Sequence, residues 1–406
     1  MAEPESNAMP LALPDKPSIA VLPFTNMSGD PEQEYFSDGI TEDIITELSR
    51  FHSLFVIARN SSFTFKGAAV NVTEVGRKLG VGYVVEGSVR KVGNRVRITA
   101  QLVEAATGNH IWAERYDREL EDIFAVQDEV VQAVATAIPG SLDLAAQEYA
   151  RRKPPESLTA YDYLLRGLGH QMRGGNEEWQ ALTMFEKAVE IDPSYARAHS
   201  GIAYTYFYLP FGQGVPVDEA APKSRASIER ALSLDDNDAD IHAVAAFVYL
   251  LCSEYDLAKT HSDLALALNP NEPRVMGARC VVLGYLGSPA EGNEWITRSI
   301  RLNPVSADSY LEALSDNLYM QGKYERSAET ILRSRTPPFH LYASLAACYA
   351  QLGRMDEAAA AREKFEELRP ADYDIRTFID NQNRLCKHQK DRDHWTEGYR
   401  KVGFDV

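Results

Sequence analysis

The sequence predicts an α+β multidomain protein, in which a small α/β domain is followed by an all-α superhelix of stacked helix pairs. Over residues 17–145, short apolar runs rich in β-branched residues alternate with amphipathic stretches, as in strands packed with helices. Further along, Pro270 and Pro304 stand 34 residues apart, and Pro193 and Pro370 end similar helical segments. A period of this length indicates repeated helix pairs that bury their apolar sides against one another.

Composition favours a multidomain globular protein and argues against a nucleic-acid partner. A chain of 406 residues suggests two or three domains, and a net charge of −17 disfavours binding to a phosphate backbone. No apolar run approaches the ~20 residues of a membrane span, and the acidic start lacks a signal-peptide pattern, so a cytoplasmic location is expected. The cysteines lack CxxC spacing and are expected to be small buried thiols in a reducing compartment. They are Cys252, Cys280, Cys348 and Cys386.

The first region is expected to form one α/β domain from residue 17 to about 145. Its predicted elements are a strand at 18–24, a helix starting near residue 35 or 38, a strand at 54–58, a loop at 61–66, a helix at 72–79, hairpin arms at 83–90 and 95–103, a strand at 110–116 and a helix at 123–138. Strand, helix and strand in this order suggest a right-handed βαβ unit. In the second hairpin arm apolar and polar residues alternate, so one face should be buried and the other wet.

Four segments of this region resemble the TolB amino-terminal-type domain. They are SIAVLPFTNMSGDPEQEYFSDGITEDIITELSRF, VIARNSSFTFKG, GYVVEGSVRKVGNRVRITAQLVEAATGNHIWAERYDREL and AVQDEVVQAVA. The resemblance implies a bacterial family of signalling proteins in which this domain precedes tetratricopeptide (TPR) repeats. There the two commonly lie behind a class III adenylate/guanylate cyclase or a winged-helix DNA-binding domain. About 16 residues precede the domain here, so no such effector is expected within the sequence.

Residues 160–370 resemble an array of about six TPR helix pairs. In the first pair, eight residues fall on the signature positions of the repeat: Leu165, Leu168, Gly169, Met172, Ala181, Phe185, Ala188 and Pro193. Gly169 and Ala181 are expected to let the two helices approach closely, and Pro193 to end the second helix. The second pair holds about nine extra residues, which are expected in a loop within 209–217.

The remaining segments are assigned to the tail, the linker and the end of the array. Residues 1–16 are expected to form a flexible tail, residues 146–159 a helix end and a basic, proline-containing linker, and residues 371–406 two helices at about 373–384 and 391–402. A terminal repeat would otherwise expose its apolar side, so the last two helices are assigned a capping role.

Partner-binding residues are predicted on the first helices of the first two pairs. The TPR resemblance implies that the first helix of each pair lines the concave side of the array. The inward positions, with one aromatic neighbour, are Tyr163, Arg166, His170, Arg173, Arg197, Tyr204, Phe207 and Tyr208. Cationic groups beside aromatic rings suit an acidic peptide or a C-terminal carboxylate. In the alternative interpretation the arginines are solvated, and the aromatic residues pack against the inserted loop or the α/β domain.

The sequence contains no motif that predicts catalysis, a cofactor or a metal site. Phosphate-binding loops, the GxGxxG fingerprint, HExxH, GxSxG and paired Cys/His spacings are absent. The sequence therefore favours a non-catalytic protein- or peptide-binding scaffold or sensor in bacterial signalling. Two alternatives stay open. In the first, the chain is the regulatory portion of a nucleotide cyclase or transcription regulator whose effector lies elsewhere. In the second, its α/β domain binds or hydrolyses a nucleotide.

Overall fold

The computed structural model describes residues 16–51, 54–68, 71–137, 158–173, 177–302, 310–334, 337–370 and 373–406. These residues form two compact units, one including residues 16–137 and the other including residues 158–301 and 310–406. The first unit contains a mixed sheet and the second is helical, which confirms the predicted α+β class. The expected tail and most of the expected linker lie outside the described residues.

The first unit is built on a mixed sheet with the strand order β3-β1-β4-β5-β6. Its strands are β1 (Ser18–Val21), β2 (Thr25–Asn26), β3 (Phe55–Val56), β4 (Tyr83–Val92), β5 (Arg95–Glu104) and β6 (His110–Glu119), and β2 pairs with β4 outside that order. Strand β1 pairs in parallel with β3 and β4, as the predicted strand–helix–strand order requires. Strands β4, β5 and β6 form an antiparallel meander. Gly93 supplies the positive φ that the tight β4–β5 turn requires.

Helices cover this sheet with the apolar faces that the sequence predicts. They are α1 (Glu34–Ser49), α2 (Arg59–Phe63), α3 (Val72–Leu79) and α4 (Ile123–Ala137). Ile40, Ile44 and Leu48 of α1 are fully buried because a spacing of four residues places them on one helix face. The strand predicted at 54–58 is shorter than expected: β3 pairs with β1 over two residues, and the chain turns into α2 where a loop was predicted.

The second unit is a succession of helices that pack as consecutive pairs. The helices are α5 (Leu158–Arg173), α6 (Glu178–Ile191), α7 (Ala196–Gly212), α8 (Val217–Leu234), α9 (Ala239–Leu251), α10 (Tyr255–Leu268), α11 (Pro273–Tyr285), α12 (Pro289–Leu302), α13 (Leu311–Met320), α14 (Tyr324–Leu332), α15 (Phe339–Gln351) and α16 (Met355–Leu368). Helix α5 packs on α6, α7 on α8, α9 on α10, α13 on α14 and α15 on α16. Cys280 of α11 and Ile296 of α12 share one core cluster, which completes the fourth pair.

The close approach of helices in the first pairs depends on glycines other than the predicted one. A side chain on Gly167 or Gly201 would overlap the ring of Phe185, which is fully buried between α5 and α7. The role predicted for Gly169 is wrong, because the nearest atom to a Cβ there is Arg173 Nη1 at 3.8 Å. Ala181, the other residue predicted at a close approach, is fully buried.

The extra residues of the second pair mainly lengthen its helices rather than forming a long loop. Helix α7 has 17 residues and α8 has 18, so only residues 213–216 connect them. Pro210 lies in the last turn of α7, close to the helix end. Among the described helices, none is both long and apolar enough to cross a membrane.

Two further helices follow the sixth pair, α17 (Ile375–Leu385) and α18 (Gln389–Val402). Helix α18 packs on α15 and α16, and therefore covers the last pair. It also contacts α13, while α17 packs on α7 and α9. The C-terminal pair thus extends beyond the end of the array and lies along the first helices of earlier pairs.

Candidate protein-binding surface

Helix α5 carries four of the predicted partner-binding residues, and most of their side chains are accessible. Arg166 is exposed, and its Nε lies 2.9 Å from the Asp162 carboxylate one turn earlier. An exposed ion pair of this kind stabilises a helix by only about 0.3–0.5 kcal/mol. The Lys187 Nζ of α6 lies 5.5 Å from the ring centre of Tyr163, which is half-buried.

His170 and Arg173 come together at the end of α5 around one carboxylate. His170 Nδ1 lies 2.6 Å from Glu177 Oε2, and Arg173 Nε donates to the same oxygen over 3.1 Å. The hydrogen bond with His170, followed by that from Arg173, lowers the pKa of Glu177. Both predicted cationic groups therefore have an acidic partner within the chain, which an incoming carboxylate would have to replace.

Arg197 is separated from this group and connects two helix pairs. Its Nε donates to Asp238 Oδ2 over 2.8 Å, and the side chain is largely buried. The other oxygen of Asp238 accepts the backbone N–H of Asp240 over 2.8 Å and so caps the start of α9. Arg197 thus links the first turn of α7 to the N-terminus of α9.

The predicted aromatic residues of α7 form a packed cluster with the next inner helix. The rings of Phe207 and Phe247 stack with their centres 5.0 Å apart, and Tyr204 meets Phe247 edge-on at 6.1 Å. Phe207 is buried, whereas Tyr204 and Tyr208 are half-buried. Burial, together with the negative charge of Glu312, raises the pKa of Tyr208. The structure therefore groups the α7 aromatics with one another rather than with the cations of α5.

A set of polar side chains on the later inner helices was missed by sequence reasoning: Tyr285, Asp316 and His340 are buried, and Glu312 is half-exposed beside them. Tyr285 Oη of α11 donates to Asp316 Oδ2 of α13 over 2.9 Å, and Glu312 Oε1 lies 3.2 Å from His340 Nε2 of α15. Burial, and then the charge of Glu312, raises the pKa of Asp316 to about 7. Burial opposes ionisation of Glu312, but its pairing with His340 keeps the pKa of that carboxyl below its ordinary value. The i,i+4 spacing of Glu312 and Asp316 was the available signal.

The cysteines are free, and three of the four are buried, as predicted. Burial raises the pKa of Cys280, Cys348 and Cys386 to about 12, so their thiols stay protonated at neutral pH. Within the described ranges, no three His, Cys, Asp or Glu side chains are grouped so that they could hold a metal ion.

Two protein-family models match the chain, one in each unit. The model of the HilA/YgeH-like transcriptional regulator, second domain, matches residues 15–133. The tetratricopeptide repeat model matches residues 339–372, which contain the sixth helix pair. These matches confirm the resemblance inferred from the sequence, a signalling-type α/β domain followed by TPR repeats.

The chain is also similar to characterised proteins over part of its length. "Putative adenylate cyclase 3" of Rhizobium meliloti (strain 1021) is 52% identical over 195 residues, which are 48% of this chain and 33% of that protein. The chain therefore matches about a third of the length of this relative. Among solved structures, Pseudomonas aeruginosa PilF has 21% identity and a TM-score of 0.37, covering 55% of this chain and 96% of PilF. TolB from Acinetobacter baumannii has 19% identity and a TM-score of 0.24, covering 31% of this chain and 29% of TolB.

Proposed function

We propose that this chain is a non-catalytic scaffold or sensor in bacterial signalling, which binds a protein or peptide partner through its TPR array. The observation that carries the proposal is the accessible polar face of α5. Arg166 and Arg173 are exposed there, with His170 and Tyr163 half-buried beside them. The inner faces of later pairs are instead covered by α17 and α18. The first pair therefore offers the array's open inner surface for a partner.

The partner proposed for this face is an acidic segment or a C-terminal carboxylate. A carboxylate can take the place of Glu177 between His170 and Arg173, where it would accept charge-assisted hydrogen bonds. Tyr204 and Phe207 belong to the packed aromatic cluster of α7, the helix on which α17 also packs, so the proposed site is restricted to α5. We further propose that the chain acts in the cytoplasm without nucleic acid, and that its functional parts are residues 17–145, 160–370 and 371–406.

Charge reversal on α5 tests this proposal. Partners recovered from a cell extract by the immobilised chain are identified by mass spectrometry, and the affinity of the strongest is measured by titration. Arg166→Glu with Arg173→Glu should weaken binding at least tenfold, because an acidic partner then meets like charges. The matched control, Lys259→Glu with Lys364→Glu on outer helices, makes the same charge change away from the site. Equal affinities for both double variants would contradict the assignment.

A second candidate function is the regulatory portion of an adenylate or guanylate cyclase or of a transcription regulator. It is favoured by the match to a transcriptional-regulator domain and by the likeness to part of a protein named as a putative adenylate cyclase. The purified chain should then form no cyclic nucleotide from ATP or GTP. A cyclase or winged-helix domain in the same or the adjacent reading frame should change its activity when the α5 charges are reversed. Cyclic nucleotide formation by this chain alone would refute both proposals.

A further inference from the structure

The last two helices lie against the first helices of five successive pairs. Helix α17 packs on α7 and α9, and α18 packs on α13 and α15. The turn between them reaches α11, where the backbone N–H of Lys387 donates to the carbonyl of Tyr285 over 2.9 Å. In helical repeat proteins the concave side is the usual partner surface. By the TPR resemblance, the first helices of the pairs line that side. A segment of this chain itself therefore occupies it from the second pair to the sixth.

The chain from Tyr373, just before α17, to Asn381 in its second half is seated on the last turn of α7. Carbonyl groups in the last turn of a helix have no acceptor role within that helix and need a donor from elsewhere. Tyr373 Oη donates to the carbonyl of Phe211 over 2.8 Å, and Asn381 Nδ2 donates to that of Pro210 over 3.1 Å. Two side chains of the C-terminal segment thus satisfy the open end of an inner helix.

The C-terminal end of α17 is held by hydrogen bonds with the third and fourth pairs. Tyr255 Oη of α10 donates to the carbonyl of Cys386 over 2.9 Å. His388 Nε2 lies 3.1 Å from the carbonyl of Leu286, just beyond the end of α11. Both ends of α17 are therefore positioned by hydrogen bonds between helix termini, and these bonds fix its register on the inner side.

Between these ends α17 presents an amphipathic face to the array. Phe378, Ile379 and Leu385 are buried, and Phe378 and Leu385 lie two turns apart on one side of the helix. Gln382, also buried, accepts from Tyr399 Oη of α18 over 2.7 Å. Apolar anchors at such helical spacing are the pattern by which an amphipathic helix is recognised in a groove.

The two C-terminal helices are held by different kinds of contact. Trp395 of α18 stacks on Tyr319 with ring centres 3.8 Å apart, and both Trp395 and Tyr399 are essentially inaccessible. On α17, the ion pair of Arg384 with Asp218 is exposed and therefore contributes little. Helix α18 is anchored by stacked aromatic rings, whereas α17 combines the buried side chains of Phe378, Ile379 and Leu385 with hydrogen bonds to the array.

We propose that the inner side of the array, where α17 packs on α7 and α9 and Phe378 meets His340 of α15, binds an amphipathic helix of a partner protein, and that α17 is its resident competitor. The partner helix presents bulky apolar side chains at the places of Phe378 and Leu385 and a carboxamide at that of Asn381. Because α17 competes for the face, the apparent affinity for the partner equals the intrinsic affinity multiplied by the fraction of molecules in which the face is open. This inference rests on the proposed function, because it specifies the kind of protein partner. The surface that would bind this partner is separate from the α5 surface.

The test measures binding of a fluorescein-labelled synthetic peptide of residues 373–387 to the full chain by anisotropy. Tyr373→Phe with Asn381→Ala removes two of the bonds that seat α17. This variant should bind the peptide about ten- to thirty-fold more tightly than the wild type, because losing two hydrogen bonds raises the open fraction by that order. The control variant, Tyr342→Phe with Asn94→Ala, makes the same two replacements at positions outside the C-terminal segment. It should bind the peptide with the affinity of the wild type. A peptide carrying Phe378→Ala and Leu385→Ala should not bind to either protein.

The outcomes separate this inference from the function proposed for α5. Equal peptide binding by the wild type and the seat variant, both folded by circular dichroism, would overturn it. If that variant does not fold, Tyr373→Phe with Arg384→Ala, both within the C-terminal segment, leaves the face unchanged and is tested in the same way. A seat variant that dimerises in light scattering without binding peptide would assign the face to a second copy of the chain, against the partner helix proposed here. Failure of the α5 variants to affect partner capture leaves the peptide result unchanged.

Discussion

Two histidines on facing helices link the stability of the second unit to acid pH. His242 Nε2 lies 2.8 Å from the carbonyl of Asp236, and its Nδ1 lies 2.8 Å from Nδ1 of His261. When His242 donates through Nε2, its Nδ1 can accept a hydrogen bond from Nδ1–H of His261. Burial, and then the electrostatic effect of the neighbouring His242 ring, lowers the pKa of His261 to about 4.

Replacing His261 with Phe should flatten the pH dependence of stability between pH 6.5 and pH 4. In this range the unfolded chain binds a proton at residue 261 that the folded chain does not, so the stabilisation present above pH 6.5 is lost as the pH falls. The loss should be about 1–2 kcal/mol after allowance for solvent screening. Urea unfolding at several pH values measures it. Tyr249→Phe preserves the ring stacked on His261 and is the control; an unchanged slope in the His261 variant would refute this account.

Asp316 should make the stability of the folded chain depend on pH with a sign opposite to that of His261. Because its pKa is raised to about 7 in the fold, between pH 4 and pH 7 the folded chain keeps a proton that the unfolded chain releases. Stability should therefore decrease as the pH rises through this window, by on the order of 3 kcal/mol. Asp316→Asn retains an acceptor for Tyr285 Oη and should be the more stable protein above pH 7 in urea unfolding. Asp218→Asn at an exposed site is the control, and a less stable Asp316 variant at pH 8 would contradict the assignment.

At the scale of elements, prediction succeeded where a local pattern decides the structure. The alternation in β5 and the Gly93-Asn94 turn predicted the β4–β5 hairpin, because register follows from the turn and from the buried face. The strand predicted at 54–58 was too long, since its extent depends on pairing with β1 rather than on its own residues. Signature spacing located the helix pairs but not the glycines that face Phe185, because the direction of a neighbouring ring is a tertiary property.

The candidate surface was predictable only in part, for a similar reason. Repeat positions identified accessible side chains on α5, yet Glu177, which pairs with His170 and Arg173, is the residue just before α6. The same repeat positions on α7 predicted aromatic partner-binding residues, and in the structure Phe207 among them packs on Phe247 of the next inner helix. A helical period predicts which side of an element faces inward, whereas neighbouring helices decide what fills that side.

At the scale of the whole second unit, the position of the C-terminal pair was not accessible to sequence reasoning. Residues 373 and 211 are joined by a hydrogen bond, although 162 positions separate them in the chain. No periodic signal connects such distant segments, so the sequence alone suggested a cap on the last pair. In the structure, α17 and α18 connect the second pair to the sixth. This closes an array in which each pair would otherwise contact only its neighbours.

Closure of the array makes a distant effect expected from a single substitution in α18. Trp395→Ala removes the ring stacked on Tyr319, a loss of about 3–5 kcal/mol at a buried aromatic position. As α18 loosens, α17 should lose its support, and the amides of α7 should exchange hydrogen faster although they lie four pairs away. Hydrogen exchange measured by mass spectrometry tests this. Ile331→Ala, at a buried site on outer helix α14, is the control and should affect only the fifth pair and its neighbours. If the effect of Trp395→Ala is likewise confined to α13, α15 and α16, the second unit behaves as an open array and the C-terminal pair does not couple its ends.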